Sequence, residues 1–256
     1  MTPKVRGRRI VLMALLVLAA AALQCGNDVA RALENDRPSK SLGTVSNGSL
    51  ENGKRLPTSG ANFVAYSRLG ALLGRNSVNS SVRDAVLDAY DALASSAPEW
   101  TFTYGETGWP SGGRFRPHRS HENGLSVDFM MPLKSTISGQ PTPFPSSLFN
   151  KVGYGLEFDL TGVYAEYKID FEIIARHLVA LQAASSHHGL VITRVIVTPE
   201  YLPLLWATPT GATLQRKLPF MRKPVWIRHD EHYHVDFGTA PALHVPTPKS
   251  RRSTSE

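Results

Sequence analysis

Cysteine is nearly absent from this chain of 256 residues, which contains only Cys25. A single cysteine cannot form an intramolecular disulfide, and no further thiol is available as a nucleophile or metal ligand. The folded state must therefore depend on its hydrophobic core or on a bound metal. With 42% hydrophobic and 19% charged residues, the composition is that of a soluble globular protein with enough apolar side chains for such a core.

A strong charge of either sign is missing from the body of the chain. The formal net charge is +7, but four positive charges lie in residues 1–10 and three in residues 246–256. A nucleic-acid-binding face needs clustered lysine and arginine, so we expect no nucleic-acid partner. Residues 239–256 are predicted to be a disordered basic tail.

Only one long hydrophobic run is present, "VLMALLVLAAAALQ" at residues 11–24. It follows a basic segment, and this order is typical of a secretory signal. A membrane span needs roughly 20 apolar residues, so the run predicts a signal peptide over 1–26 and no stable membrane span in the mature chain. We therefore expect a periplasmic or exported protein.

The sequence leaves the processing site open. Small residues fit cleavage after Ala22 or after Ala32, and "ALQC" loosely resembles a lipoprotein signal that ends at Cys25. Gln24 is a poor residue before an acylated cysteine, and the alternative is that Cys25 is removed with the signal. A polar linker is predicted over 27–40.

The remaining chain, residues 41–238, mixes helical and strand patterns without a strict βαβ alternation. Apolar residues at helical spacing predict two main helices, 81–95 capped by Ser81 and about 170–188 capped by Asp170. Strands are predicted near 99–105, 124–133, 190–197 and 231–237. The strand 190–197 is apolar on both faces and is therefore expected in the centre of a sheet. These elements predict one α+β domain with a small, mainly antiparallel sheet and flanking helices.

Three prolines interrupt the segment "SGQPTPFPSS" at residues 138–147. Proline has no backbone N–H, so no regular structure is predicted here. Loops of this length often carry function, and this one follows the strand predicted to contain Asp128. We predict that it borders a substrate cleft.

Several common catalytic signatures are missing. The sequence has no H-E-x-x-H helix, no G-x-S-x-G and no S-x-x-K. Phosphate-binding loops and dinucleotide fingerprints are absent as well. These absences exclude a common metalloprotease frame and the usual serine acyl-enzymes.

Five of the nine histidines lie in two short stretches, residues 115–132 and 226–238. Side chains two apart in a strand face the same side, so His232 and His234 are expected roughly 6.5–7 Å apart. One of them can ligate a metal while the other reaches a water beside it. Spacing alone does not say which histidine has which role.

His121 and Asp128 supply the other half of a candidate metal site. The pattern H-x-N-G-x-x-x-D fits a loop that enters a strand, with Gly124 permitting the turn. Two histidine nitrogens and one carboxylate oxygen, with water as the fourth ligand, are typical of hydrolytic zinc. A lone histidine is usually structural, but two clusters beside strands favour a metal site.

The order H-x6-D followed by H-x-H resembles that of the LAS peptidases, a group that contains zinc D,D-peptidases acting on bacterial cell walls. Within that group, the sequence is similar to the penicillin-insensitive murein endopeptidases over about residues 41–237. The resemblance is carried by four blocks in the family's order, "SLGTVSNGSL…LP", "GWPSGGRFRPHRSHENGLSVDF", "ITRVIVTPEYLPLL" and "RHDEHYHV". It implies the small α+β core of that group. The chain departs from relatives that carry disulfides, one of them near the position of Ser49.

The resemblance implies one Zn²⁺ per chain, bound by His121, Asp128 and His234. It also implies that His232 is the catalytic histidine beside the metal. Zinc makes water nucleophilic near neutral pH, and a histidine in this position can carry the proton to the leaving amine.

His118 and His229 also match histidines of the family's site. His229 would be a second catalytic residue, while His118 would hold the substrate or orient a ligand. The alternative is that both are loop residues with only a hydrogen-bonding role.

The implied partner is peptidoglycan, and the implied reaction is hydrolysis of its peptide cross-links, chiefly D-alanyl–diaminopimelyl bonds. Two alternatives stay open. One is a D,D-carboxypeptidase that trims stem peptides, and the other is a non-catalytic, zinc-stabilised wall-binding module. His232 disfavours the module, because binding alone needs no catalytic base.

Overall fold

The computed structural model of the chain describes residues 3–223 and 228–240. The strands in this part, in chain order, are β1 (Lys40–Thr44), β2 (Asn47–Glu51), β3 (Lys54–Arg55), β4 (Phe63–Ala65), β5 (Ser77–Val78), β6 (Phe102–Tyr104), β7 (Ser126–Met130), β8 (Leu133–Ser135), β9 (Pro141–Thr142), β10 (Val163–Tyr164), β11 (Tyr167–Ile169), β12 (Leu190–Ile196) and β13 (His232–Thr239). The helices are α1 (Pro3–Ala32), α2 (Arg68–Leu72), α3 (Ser80–Ser96), α4 (Phe171–His187), α5 (Leu202–Trp206) and α6 (Gly211–Leu214). Two short 3₁₀ segments lie at Leu148–Gly153 and Pro199–Tyr201.

A five-stranded sheet forms the centre of the domain, in the spatial order β12-β13-β7-β6-β4. Its pairs are antiparallel except for β4 and β6, which run parallel. A second sheet has the order β10-β11-β8-β9, and two further sheets have two strands each. This mixture of helices and mainly antiparallel sheets confirms the predicted α+β class.

The hydrophobic core lies between the central sheet and the two long helices. Helices α3 and α4 pack against each other. His177 of α4 reaches the sheet, where its ring contacts Phe129 of β7 and Tyr233 of β13. Helix α4 thus covers one face of the central sheet. The polar residues described below lie on the opposite face.

The two main helices are found close to their predicted ends. Asp170 caps α4 as predicted, since its side chain accepts a hydrogen bond from the N–H of Ile173. The cap of α3 was assigned to the wrong residue. Asn79, rather than Ser81, is the N-cap, and its side chain accepts from the N–H of Ser81.

The prediction for 190–197 was right about the strand and wrong about its position. β12 lies at the edge of the central sheet, and β13 takes the inner position beside it. Val191 is 40% exposed on this edge. Continuous apolar sequence therefore did not distinguish an edge strand from a central one here.

The proline-rich segment 138–147 contains regular structure, contrary to prediction. Pro141 and Thr142 form β9, which pairs with β8 at the edge of the four-stranded sheet. An edge position suits proline, because a strand there has one side that needs no N–H donor.

Helix α1 continues past the apolar run to Ala32, so residues 27–32 are helical and not part of a linker. Its segment Ile10–Ala32 is long and apolar enough to cross a membrane, a property that signal sequences share. The end of α1 is tied to the domain by Asn27, which is buried and donates a hydrogen bond to the carbonyl of Leu56 at 3.0 Å. The length and apolar character of the N-terminal helix are compatible with export.

The predicted tail overlaps the last strand, because β13 extends to Thr239. From residue 241 onward, the predicted tail lies outside the described residues.

Candidate metal and active centre

The centre is built on the pairing of β7 with β13. In this antiparallel register Asp128 lies directly opposite His234, and Met130 lies opposite His232. The alternation of side chains along β13 puts both histidines on the polar face of the sheet, as predicted. Tyr233 points to the other face and stacks on Phe129 in the core.

His121 reaches the same carboxylate from the loop before β7. Its backbone has a left-handed φ of 70° and its side chain is fully buried. Nδ1 lies 3.0 Å from the carbonyl oxygen of Thr107, which can only accept, so Nδ1 carries the proton. Nε2 lies 3.3 Å from Oδ1 of Asp128 and makes no hydrogen bond within the described part of the chain.

His234 is held on both sides of its ring. Nδ1 lies 2.8 Å from Oδ1 of Asp128, and Nε2 lies 2.8 Å from Oδ1 of Asp236. Asp236 is fixed in turn by the hydroxyl of Ser126 at 2.5 Å and by Nε of Arg194 at 2.6 Å. A carboxylate on the far nitrogen of a histidine is the usual support for a metal ligand, since it sets the tautomer and ring orientation.

His118 completes a cluster with His121 and Asp128. One ligand atom from each of the three lies within 4.8 Å of the others, so the cluster can hold a metal ion. Nδ1 of His118 is 3.7 Å from Oδ2 of Asp128, and Nε2 is 2.6 Å from Oε2 of Glu106. Sequence reasoning put His118 beside the predicted ligands; the structure brings it close enough to supply a ligand atom itself.

His232 and His229 form the second edge of the centre. Nε2 of His232 lies 3.8 Å from Oδ2 of Asp128 and is buried without a hydrogen bond among the described residues. Its Nδ1 lies 2.9 Å from Oε1 of Glu231. The ring of His229 is 4.6 Å from that of His232. Both histidines line the cleft.

Burial and charge act in opposite directions on these groups. Burial alone would raise the pKa of the Asp128 carboxyl, but the imidazoles of His121 and His232 hold it well below its ordinary value. For His121, burial dominates and lowers the pKa. For His234, Asp236 and Asp128 outweigh burial and raise the pKa to about 10. The carboxylate is therefore charged, His121 is neutral, and a metal at His234 must displace a proton.

The arrangement leaves two hydrogen-bond acceptors in contact. A neutral His121 with its proton on Nδ1 has a lone pair on Nε2, and this lone pair faces the charged Oδ1 of Asp128 at 3.3 Å. Two acceptors at this distance repel each other unless a cation lies between them. This is the feature of the site that fits a metal ion most directly.

A cleft of about 430 Å³ opens above the cluster. His118, His232 and His234 line it, whereas His121 and Asp128 are fully buried below its surface. Its remaining wall residues are Arg75, Glu106, Pro117, Arg119, Ser120, Lys151, Val152, Tyr154, Ile196, His229 and Glu231. The volume is within the roughly 300–1,000 Å³ typical of small-molecule sites.

The proline-rich loop was predicted to border this cleft, and that prediction was wrong. The cleft wall is formed instead by Lys151, Val152 and Tyr154, which follow the loop in sequence. Residues 138–147, which are all described, are not among the lining residues. Only Pro141 and Thr142 of the loop pair with β8. The end of the loop contacts the segment that forms the cleft wall, because the carbonyl of Pro145 accepts a hydrogen bond from Nδ2 of Asn150 and Phe144 lies against Gly153.

No protein-family model matches the chain, and no curated protein matches it either. The resemblance to murein endopeptidases therefore stays a prediction from the motifs. The geometry of the centre is an independent argument for a metal site.

Three residues of the centre were missed by sequence reasoning. Asp236 could have been found, because alternation along "HYHVD" places it on the face of His232 and His234. Glu106 and Tyr154 carry no local signal, since only the tertiary fold brings them to the site. The hydroxyl of Tyr154 donates to Oδ2 of Asp128 at 3.0 Å and accepts from the N–H of Glu106 at 2.7 Å.

Glu106 in turn organises one wall of the cleft. Oε1 accepts from Nε of Arg75 at 2.5 Å and from the hydroxyl of Tyr66 at 2.8 Å. Burial would raise the pKa of its carboxyl, but His118 and Arg75 lower it to about 2. Glu106 is therefore an anion that orients His118.

Proposed function

We propose that this protein is a zinc metallopeptidase that hydrolyses D-alanyl–diaminopimelyl cross-links in peptidoglycan. The observation that carries the proposal is the contact of His121 Nε2 with Asp128 Oδ1, next to a second imidazole nitrogen, His234 Nδ1, on the same oxygen. We assign the three residues as ligands of one Zn²⁺. The donor set of two nitrogens and one oxygen is the kind that hydrolytic zinc sites use.

The outer contacts of the ligands support this assignment. Thr107 holds the far nitrogen of His121, and Asp236 holds the far nitrogen of His234. Both rings are thereby oriented with one nitrogen toward Asp128. Such outer-sphere contacts raise ligand basicity and reduce the reorganisation that metal binding requires.

The remaining residues fit the proton transfers of peptide hydrolysis. Zinc, when bound, supplies Lewis acidity that polarises the scissile carbonyl and makes water nucleophilic near neutral pH. With Nδ1 directed to Glu231, His232 presents Nε2 to the cleft side of Asp128, where it can accept a proton from water and give it to the leaving amine. His118 and His229 flank this position and can donate to the developing oxyanion.

The substrate and location come from the motif resemblance and from the N-terminal helix. The resemblance implies murein as substrate, and the apolar helix Ile10–Ala32 supports export to the compartment where murein lies. A hydrolase that activates water offers no nucleophilic side chain for a β-lactam to acylate. We therefore expect the activity to be insensitive to penicillin.

The test is digestion of purified, cross-linked sacculi with the zinc-loaded protein, followed by mass spectrometry of the muropeptides. We expect cross-linked dimers to be converted to monomers, a chelator to stop the reaction, added zinc to restore it, and penicillin to have no effect. The His232→Ala variant is the negative control. Loss of terminal D-alanine alone would identify a D,D-carboxypeptidase, and murein binding without any product would identify a wall-binding module.

A further inference from the structure

Two consecutive residues in the wall of the cleft have a left-handed backbone. Lys151 has φ 54° and ψ 42°, and Val152 has φ 54° and ψ 35°. This region is rarely occupied by residues other than glycine, and for a β-branched residue such as valine it is a strained conformation. Strain of this kind persists only where the surroundings enforce it, and it is concentrated at functional sites.

Asn150 enforces the conformation of this segment. Its Oδ1 accepts hydrogen bonds from the N–H groups of Ser147 at 2.9 Å and Gly153 at 2.8 Å. Its Nδ2 donates to the carbonyl of Pro145 at 2.5 Å. The side chain thus clamps both ends of the turn that contains Lys151.

The turn places Lys151 at the wall of the cleft, which it shares with Tyr154, His232 and His234. Lys151 also lines an adjoining cavity of about 400 Å³, so it stands on the ridge between the two. The position is exposed to solvent. A strained turn therefore carries a cation to the edge of the site.

Charged residues that share the cleft wall with Lys151 are already paired with other groups. Arg75 is bound to Glu106 at 2.5 Å, and Glu231 contacts Nδ1 of His232 at 2.9 Å. Lys151, in contrast, has no ion-pair partner in the parts of the chain that the structure describes. Its ammonium group is available to an anion that enters the cleft.

We infer that Lys151 determines substrate specificity by binding the carboxylate on the carbon next to the scissile nitrogen. The inference rests on the proposed function. In a D-alanyl–diaminopimelyl cross-link the scissile nitrogen is attached to a carbon that bears a free carboxylate. A lysine at the rim, close to the metal centre, pairs with that group and excludes peptides in which it is amidated.

The test uses two synthetic cross-linked peptides that differ only at this group, one with the free carboxylate and one with a carboxamide. Steady-state kinetics are measured on the zinc-loaded wild-type protein, Lys151→Gln, Lys151→Arg and Lys168→Gln. Lys168 is an exposed lysine on β11 outside the cleft and is the matched control. Zinc content is measured on each variant to show that the centre is intact.

We expect the wild type to prefer the free acid. Lys151→Gln should raise KM for the free acid about tenfold, the size of one charge-assisted hydrogen bond at a solvated rim, and leave the carboxamide unchanged. Lys151→Arg should restore the preference, and Lys168→Gln should not alter it. The inference is overturned if Lys151→Gln keeps the full preference, or if Arg119→Gln removes it instead. Cleavage of neither peptide by the wild type would overturn the proposed function and this inference together.

Discussion

Two buried histidines, His177 and His234, lie on opposite faces of strand β13. Their surroundings shift the pKa of the imidazole in opposite directions. On the core face, the hydroxyl of Tyr233 is hydrogen-bonded to Nδ1 of His177 at 2.7 Å, and aromatic rings surround the imidazole. On the polar face, His234 lies between the carboxylates of Asp128 and Asp236. Both histidines are withdrawn from solvent.

Burial lowers the pKa of His177 to about 3, because nothing near it compensates for the lost solvation of the charged ring. Burial acts in the same direction on His234, but two carboxylates reverse it and raise the pKa to about 10. The difference shows that burial alone gives a neutral, structural histidine. In this protein, the carboxylates buried beside His234 make it a site for a cation, which can be a proton or a metal.

The largest expected effect comes from removing a proposed zinc ligand, His121. His121→Ala should lose most bound zinc and nearly all activity, because the remaining donors no longer enclose the metal. Zinc content by elemental analysis and muropeptide release provide the measurement. His187→Ala, at an exposed position on α4, is the matched control and should keep both. Stoichiometric zinc in His121→Ala would show that the ligand assignment is wrong.

The next prediction distinguishes the roles of His232 and His234, the two histidines on the polar face of β13. His232→Ala should keep about one zinc per chain and lose on the order of 10²–10⁴-fold in rate, the usual contribution of a general base. His234→Ala should lose the metal together with the activity. Zinc content and turnover are compared for both variants at neutral pH. The opposite pattern would exchange the two roles.

A smaller effect is expected from neutralising Asp236, whose carboxylate contacts the proposed ligand His234. Asp236→Asn keeps the shape of the side chain but removes the charge that orients His234, so zinc affinity should fall roughly 10–100-fold. Competition with a chelator of known affinity measures it. An unchanged affinity would mean that Asp236 only stabilises the sheet, through Ser126 and Arg194.

The smallest expected effect concerns His177 on the core face. It is a change in how the free energy of unfolding depends on pH. An unfolded chain protonates His177 near its ordinary pKa of 6.5, whereas the folded protein keeps it neutral down to about pH 3. Falling pH therefore favours unfolding within this window, by about 2 kcal/mol between pH 7 and pH 5. His177→Leu should lack this component. Urea unfolding of both proteins at the two pH values is the measurement, and equal pH dependence in both would contradict the assignment.

The sequence was informative where a local pattern determines the structure. Helical spacing and a capping aspartate located α4, and the period of two along β13 put His232 and His234 on one face. The same period extends to Asp236, which could have been predicted. Asp128 was expected in a strand, and it is found in β7.

Other features depend on contacts between distant segments, which no local pattern reports. Tyr154 reaches Asp128 from a turn 26 residues away. β12 lies at the edge of the central sheet, and β13 lies between β12 and β7. β9 forms an edge strand of the second sheet although it begins with Pro141. The proline-rich loop was expected to line the cleft, whereas it only contacts the segment that forms the cleft wall.

The distance along the chain between Asp128 and His234 has a further consequence. The two residues are 106 positions apart and their side chains meet at 2.8 Å. A metal held by both acts as a cross-link that closes a loop of this length. In the chain-entropy treatment, a covalent link across about 100 residues restricts the unfolded ensemble by about 4.7 kcal/mol. In a chain whose single cysteine rules out an internal disulfide, the metal can thus serve as the long-range cross-link of the fold.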